Sequence, residues 1–337
     1  MSEKPASTLS GLVAVATLSA LATWASTLPA LAALRISPLI VGILLGVAVG
    51  NALGDRLPGS WAPGIQLSAK RLLRAAIVLF GFRITFTQIG DLGVEGVLLD
   101  LFIVVSTLVI GIFLGTRVLG VDRETAVMAS CGAAICGAAA VIAAEPVVRA
   151  QPHKTAVAIG TVVLFGTLAM FLYPALYHAG LLSMGEEVFG VYIGATVHEV
   201  AHVVGAGAAV SDATADTAVI VKMTRVMLLA PTLMGLSWWL RRTSAKAPES
   251  SPVMIPWFAV GFVGVAGFNS LELLPGAAVS AIIRVDTFLL TMAMTALGLG
   301  TVASKIKGVG WAPLRLAAAL FAWLVVGGYF ATRWLVH

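Results

Sequence analysis

The chain has 337 residues, 59% of them hydrophobic and 11% charged, with a mean hydropathy of +0.99. Soluble domains carry about 25% charged residues, so composition excludes a soluble fold and leaves no room for an appended soluble module. The net charge of +5 comes without a basic cluster interleaved with aromatics, which excludes nucleic acid as a partner and points to Lys and Arg in cytoplasmic loops. What remains is an all-α polytopic membrane protein with one membrane domain over 1–337 and the lipid bilayer as its solvent.

A crossing needs about 20 mostly apolar residues. In chain order the candidates are 11–33, 37–53, 69–90, 95–117, 123–145, 154–177, 187–209, 214–240, 255–273, 277–301 and 313–335, eleven in all. The first is too long for a signal-peptide core and has only Lys4 before it, so it reads as a retained helix. With the N-terminus inside, the inner connections hold Lys4, Arg56, Lys70, Arg71, Arg74, Arg117, Arg123, Arg241, Arg242, Lys246, Lys305, Lys307 and Arg315. The outer ones hold Arg35, Arg149, Lys154 and Arg333. That bias predicts a cytoplasmic N-terminus.

The fifth span is interrupted. It reads Ser130-Cys131-Gly132-Ala133-Ala134-Ile135-Cys136-Gly137 and ends at Glu145-Pro146. Unpaired backbone survives at membrane depth only when buried in protein or lining a wet cavity. Half-helix ends there would offer N–H groups to an anion; a small-residue packing face is the plainer alternative. Cys131 and Cys136 sit on different helical faces, which argues against a disulfide between them.

The seventh span carries His198-Glu199-x-x-His202, the pattern of a zinc hydrolase with two His on one helix face and Glu as base. The same residues serve equally as a polar lining that carries a coupling proton. In the eighth span Lys222 and Arg225 share a face and would form a cationic wall, or else pair structurally with Glu199. The tenth span, Ala277 to Thr301, carries Arg284, Asp286, Thr287 and Thr291 in its middle, and reads as a second broken helix with Arg284 on an anion and Asp286 on a coupling ion. Arg83 and Asp100 carry less information, and no GxxxxGK[ST] loop is present. Setting aside 1–36 as an extra helix leaves 37–180 and 185–337, each with its broken helix in fourth place. An odd number of spans per half makes the halves two inverted five-helix repeats.

Four blocks resemble a known family: Ser130–Ala140 with Glu145-Pro146-Val147-Val148, Gly190–Ala201, Lys222–Pro231, and Arg284-Val285-Asp286-Thr287 with Ala293–Gly298. Over essentially the whole chain it is similar to the sulfate exporter family of YeiH-like bacterial inner-membrane proteins. That family is grouped with the bile acid, arsenite and riboflavin transporter superfamily. The resemblance implies a core and a panel subdomain, two discontinuous helices crossing at the substrate site, and a multi-pass protein of the bacterial inner membrane.

These readings lead to a secondary active transporter of a small anion, sulfate or a related sulfonate or carboxylate, coupled to H+ or Na+. Ser130, Cys131, Gly132, Cys136, Gly137, Lys222, Arg225, Arg284 and Thr287 are the expected substrate contacts; His198, Glu199 and Asp286 are the expected coupling residues. No cofactor or resident metal is called for, and a homo-oligomer is allowed. The alternatives are an intramembrane zinc hydrolase using His198, Glu199 and His202, and an uncoupled channel.

Overall fold

The computed structural model describes residues 5–29, 37–243, 257–301 and 310–336. The end of the first expected span, the long polar loop after Thr243, and Lys4, Arg35, Lys246, Lys305 and Lys307 lie outside the described residues. Every regular element among those described is helical, as composition requires. Six helices are long and apolar enough to cross a membrane: Thr8–Ser26, Gly93–Val118, Pro152–His178, Asp212–Leu240, Gly276–Gly300 and Trp311–Leu335.

The helices are α1 (Pro5–Ser26), α2 (Pro38–Leu53), α3 (Ala62–Leu67 and Leu73–Phe80, joined by a wide turn), α4 (Gly93–Phe113), α5 (Arg123–Ala134), α6 (Ala138–Val148), α7 (Pro152–His178), α8 (Glu186–Thr196), α9 (Val200–Ala208), α10 (Asp212–Met227), α11 (Leu229–Thr243), α12 (Trp257–Ser270), α13 (Gly276–Gly300) and α14 (Trp311–Ala322, continuing to Leu335). They form two compact units, residues 1–90 with 257–305 and residues 91–256 with 306–337.

In the first unit α2 lies along α13. Gly42, Gly46 and Gly50, one turn apart, meet Thr291, Thr295, Gly298 and Leu299, where an added Cβ would strike the α13 backbone. A stripe of small residues lets two apolar helices approach this closely. α13 itself is one continuous helix of 25 residues, which corrects the expectation of a break in the tenth span. The sequence between Ala277 and Leu297 has no Gly or Pro to break it. Its threonines are satisfied without unwinding: the hydroxyls of Thr287, Thr291 and Thr295 each donate to the carbonyl four residues back.

The second unit contains two helical hairpins. α5 and α7 run parallel from the same end. Asp122 caps α5 through the Thr125 N–H and accepts from Lys154 Nζ at 2.8 Å, Thr155 reaches Met128, and further along both helices Gly132 meets Val162. α6 must therefore return. Only three residues join it to α7, too few to span a bilayer core at ~3.5 Å per residue, and Gly132 of α5 faces Val141 of α6. The same argument applies to α8 and α9. Ser211 and Thr214, at the start of α10, donate to Glu186 at the start of α8, while Gly207 of α9 packs on Ala215.

The 123–145 and 187–209 segments thus double back instead of crossing. α5, with 12 residues, is about 18 Å long, roughly half the ~30 Å core. The two hairpins enter from opposite ends of α7. Lys154 marks the α5–α6 end, and His178, against the Ala209 carbonyl, marks the α8–α9 end.

Candidate functional site

The hairpin tips meet. The first tip, Ile135-Cys136-Gly137, turns through a positive φ of 70° at Gly137. The second, Val197-His198-Glu199, is the break between α8 and α9. Two half-helices end there with their last carbonyls unpaired and their negative dipole ends together. One helix answers both. From α10, Lys222 Nζ donates to Ile135 O at 2.6 Å and Val197 O at 2.7 Å. Arg225 donates at 2.6 Å to Ala134 O through Nε, to Ala133 O through Nη2 and to Ala195 O through Nη1. Both side chains are fully buried. The expected cationic wall is therefore a clamp committed to protein carbonyls. Lys222 and Arg225 do share a face, as their spacing requires, but neither pairs with Glu199 in a salt bridge.

Glu199 is the acidic residue at the junction. Its Oε1 accepts from the Ala138 N–H at 3.0 Å, capping α6, and its Oε2 lies 3.8 Å from His202 Nδ1. His202 is fully buried, with Nε2 3.4 Å from Thr167 Oγ1 and Gly166 leaving room for its ring. His198 is also buried, beside Phe321. The Nδ1 atoms of His198 and His202 have no hydrogen-bond partner. The zinc-hydrolase pattern is not realised. His198 precedes α9 and His202 lies within it, so the shared helical face is missing. Among the described residues no three His, Cys, Asp or Glu cluster to hold a metal.

The structure gathers Cys136, Gly137, His198, Glu199, Lys222 and Arg225 at the tips. Ser130, Cys131 and Gly132 sit in the last turns of α5 as packing positions. Ser130 donates back to Ala126 O at 2.6 Å, Cys131 is a buried free thiol like Cys136, and Gly132 is pressed between Val162 and Val141. Arg284, Asp286 and Thr287 belong to the first unit. There Asp286, fully buried, pairs with Arg83 Nε at 3.2 Å, and Thr287 Oγ1 accepts from Arg83 Nη2 at 2.7 Å. Arg284 is on the exposed side of the same helix. Asp286 thus forms an ion bridge to the turn that follows α3.

Asp100 stands out more in the structure than in the sequence. It is fully buried on α4 with neither oxygen hydrogen-bonded, in the field of Arg225 and Lys222. A lone carboxylate inside the apolar stretch from Gly93 to Val118 was the signal that could have found it.

A family model described as conserved hypothetical protein 698 matches residues 10–317. The chain is 46% identical over 331 residues to a UPF0324 membrane protein of Bacteroides thetaiotaomicron, covering 97% of this chain and 98% of that one. It is 47% identical over 319 residues to the UPF0324 inner membrane protein YeiH of Escherichia coli K12, covering 94% and 91%. A UPF0324 membrane protein of Pseudomonas aeruginosa is 51% identical over 305 residues, covering 88% and 86%. No solved structure matches. With helices able to span a bilayer and relatives along nearly its whole length, the chain belongs to the conserved hypothetical protein 698 family of UPF0324 membrane proteins.

Proposed function

We propose that the protein is a secondary active transporter of a small anion, with sulfate, sulfonates and short carboxylates as the candidate class and the proton as coupling ion. The observation that carries this reading is the junction of two half-length hairpins entering from opposite ends, with Glu199 set on the N-terminus of α6. Backbone that ends halfway through hydrocarbon must be satisfied by protein or by a wet cavity, and transporters place substrate and coupling ions at such ends near the midplane. The inverted plan also has support, in a different form from two consecutive halves. α4, the first hairpin and α7 correspond to α14, the second hairpin and α10 run in the opposite sense. The second set is permuted in chain order, since α14 comes last.

The fold-back also sharpens orientation. In the second unit Arg117, Arg123, Arg149, Lys154, Arg242 and Arg315 collect at the end where the first hairpin enters, and Arg333 lies at the other. The basic end faces the cytoplasm.

The test is flux in proteoliposomes loaded with a pH dye and offered sulfate, methanesulfonate or acetate under a proton gradient. At least one should drive proton movement in the wild type and none in Glu199→Gln at unchanged thermal stability. Proton flux unaltered in Glu199→Gln, or anion flux that never moves a proton, rejects the proton-coupled carrier; anion flux that depends on neither a proton nor a sodium gradient identifies the uncoupled channel.

A further inference from the structure

Glu199 does more than line the junction. The first N–H of α6, an eleven-residue helix, is an orphan donor at a positive dipole end, the kind of place an anion binds. A carboxylate already holds it: Glu199 Oε1, at 3.0 Å from Ala138 N. The chain is shaped for this contact. Gly137 has a positive φ, and a Cβ there would collide with Glu199 Cγ. The other carboxylate oxygen faces His202 Nδ1 across 3.8 Å, and that fully buried nitrogen has no hydrogen-bond partner. The Glu199 side chain is 12% exposed. Facing it is His202 of α9, with Cys136 of the first tip and Lys222 of α10 within electrostatic reach; His198 precedes it in the chain. The Lys222 ammonium is held on Ile135 and Val197 carbonyls.

We infer that Glu199 is a tethered anion occupying the substrate's own seat, so that a small monoanion enters only as the Glu199 carboxylate is displaced and takes up a proton. The inference rests on the carrier reading and supplies its coupling rule. The incoming anion accepts the Ala138 N–H. The displaced carboxylate becomes a carboxylic acid by binding one proton at the oxygen beside His202. The junction begins and ends with one negative charge, and one proton accompanies each monoanion. Release reverses both steps: the acid loses its proton and the carboxylate returns to α6. Two carboxylates side by side in a buried junction would repel, which makes the exchange obligatory.

Acetate, which carries the same head group as the Glu side chain, is the probe. In detergent-purified full-length protein, acetate binding is read by thermal shift and calorimetry from pH 6 to 8. The wild-type dissociation constant should rise about tenfold per pH unit, one linked proton, with one proton taken up per acetate in weakly buffered solution. In Glu199→Gln, a permanently uncharged side chain, binding should be pH-independent and at least about tenfold tighter than wild type at pH 8. Glu199→Ala, with the seat emptied, should behave likewise. Equal binding in wild type and both variants, binding without proton uptake, or no acetate response in any of the three overturns the inference. Flux that persists while the acetate test fails rejects the tethered anion and leaves the carrier standing. A normal acetate result with no flux rejects the carrier alone.

Discussion

Arg225 is where the two readings of the junction diverge most sharply. If its guanidinium is the clamp described above, Arg225→Met removes donors from the carbonyls of Ala133, Ala134 and Ala195, each now bonded at 2.6 Å. Hydrogen bonds to a charged group contribute about 1.5–3 kcal/mol each, so three give a gross loss of roughly 5–9 kcal/mol. Burying the guanidinium carries a desolvation cost of several kcal/mol that the variant no longer bears, leaving a net loss of about 3–5 kcal/mol. Arg225→Lys keeps the charge but not the fork, and should restore less than half of that. Lys222→Met acts on the same two hairpin ends, so the double variant should depart from additivity by about 1 kcal/mol or more. Reversible unfolding in mixed micelles measures all four proteins. Arg225→Met within about 0.5 kcal/mol of wild type, yet unable to bind any anion, would refute the clamp and make Arg225 a ligand contact.

Three further outcomes are expected. Arg83→Met leaves the buried Asp286 carboxylate unpaired and should cost about 2–3 kcal/mol, less than a fully buried pair because Arg83 is partly exposed. Adding Asp286→Asn should return at least half of it, and identical stabilities for the single and double variants would show the pair to be incidental. In a background with Cys131→Ala and Cys136→Ala, a membrane-impermeant maleimide should reach Gln151→Cys only from the cytoplasm and Leu181→Cys only from outside; labelling of both from one side would dissolve the fold-back. At the base of the first hairpin, burial acts to raise the Asp122 carboxyl, but hydrogen bonds from Lys154 and Thr125 outweigh it and hold it below the ordinary carboxylate range. A lowered carboxyl contributes stability above its unfolded pKa of about 3.9 that is lost as pH falls through the folded value. The wild-type advantage over Asp122→Asn should be under about 1 kcal/mol at pH 6, because the pair is half-exposed, and shrink as pH falls below the unfolded value of about 3.9. A difference constant over that range would contradict the ion pair.

The sequence readily showed where hydrocarbon would be and much less readily where the chain turned. A run of about twenty apolar residues has the same composition whether it crosses once or enters and returns, so 123–145 and 187–209 looked like crossings. The small residues from Ser130 to Gly137 did mark a true break, because only glycine accepts the φ that the first tip needs. Charge alone points to a second break on α13, at Arg284 and Asp286. Arg284 is exposed, and Asp286 is answered by Arg83, 203 residues away in sequence; no local pattern exposes such a partner. The break at Val197–Glu199 was hidden by the His198-Glu199-x-x-His202 spacing, which suggests an uninterrupted helix. Spacing puts Lys222 and Arg225 on one face, but their carbonyl partners lie on two other segments, 25 to 92 residues upstream. A cation's neighbours, unlike its helical face, are a property of tertiary packing.

One turn of α10 grips both hairpins at once, and this restricts how the protein can move. Neither tip can swing aside like a door without tearing two or three short bonds from a buried cation. In the proposed carrier, any motion that opened Glu199 to one compartment and then to the other would have to carry both tips and α10 together as a single rigid cradle.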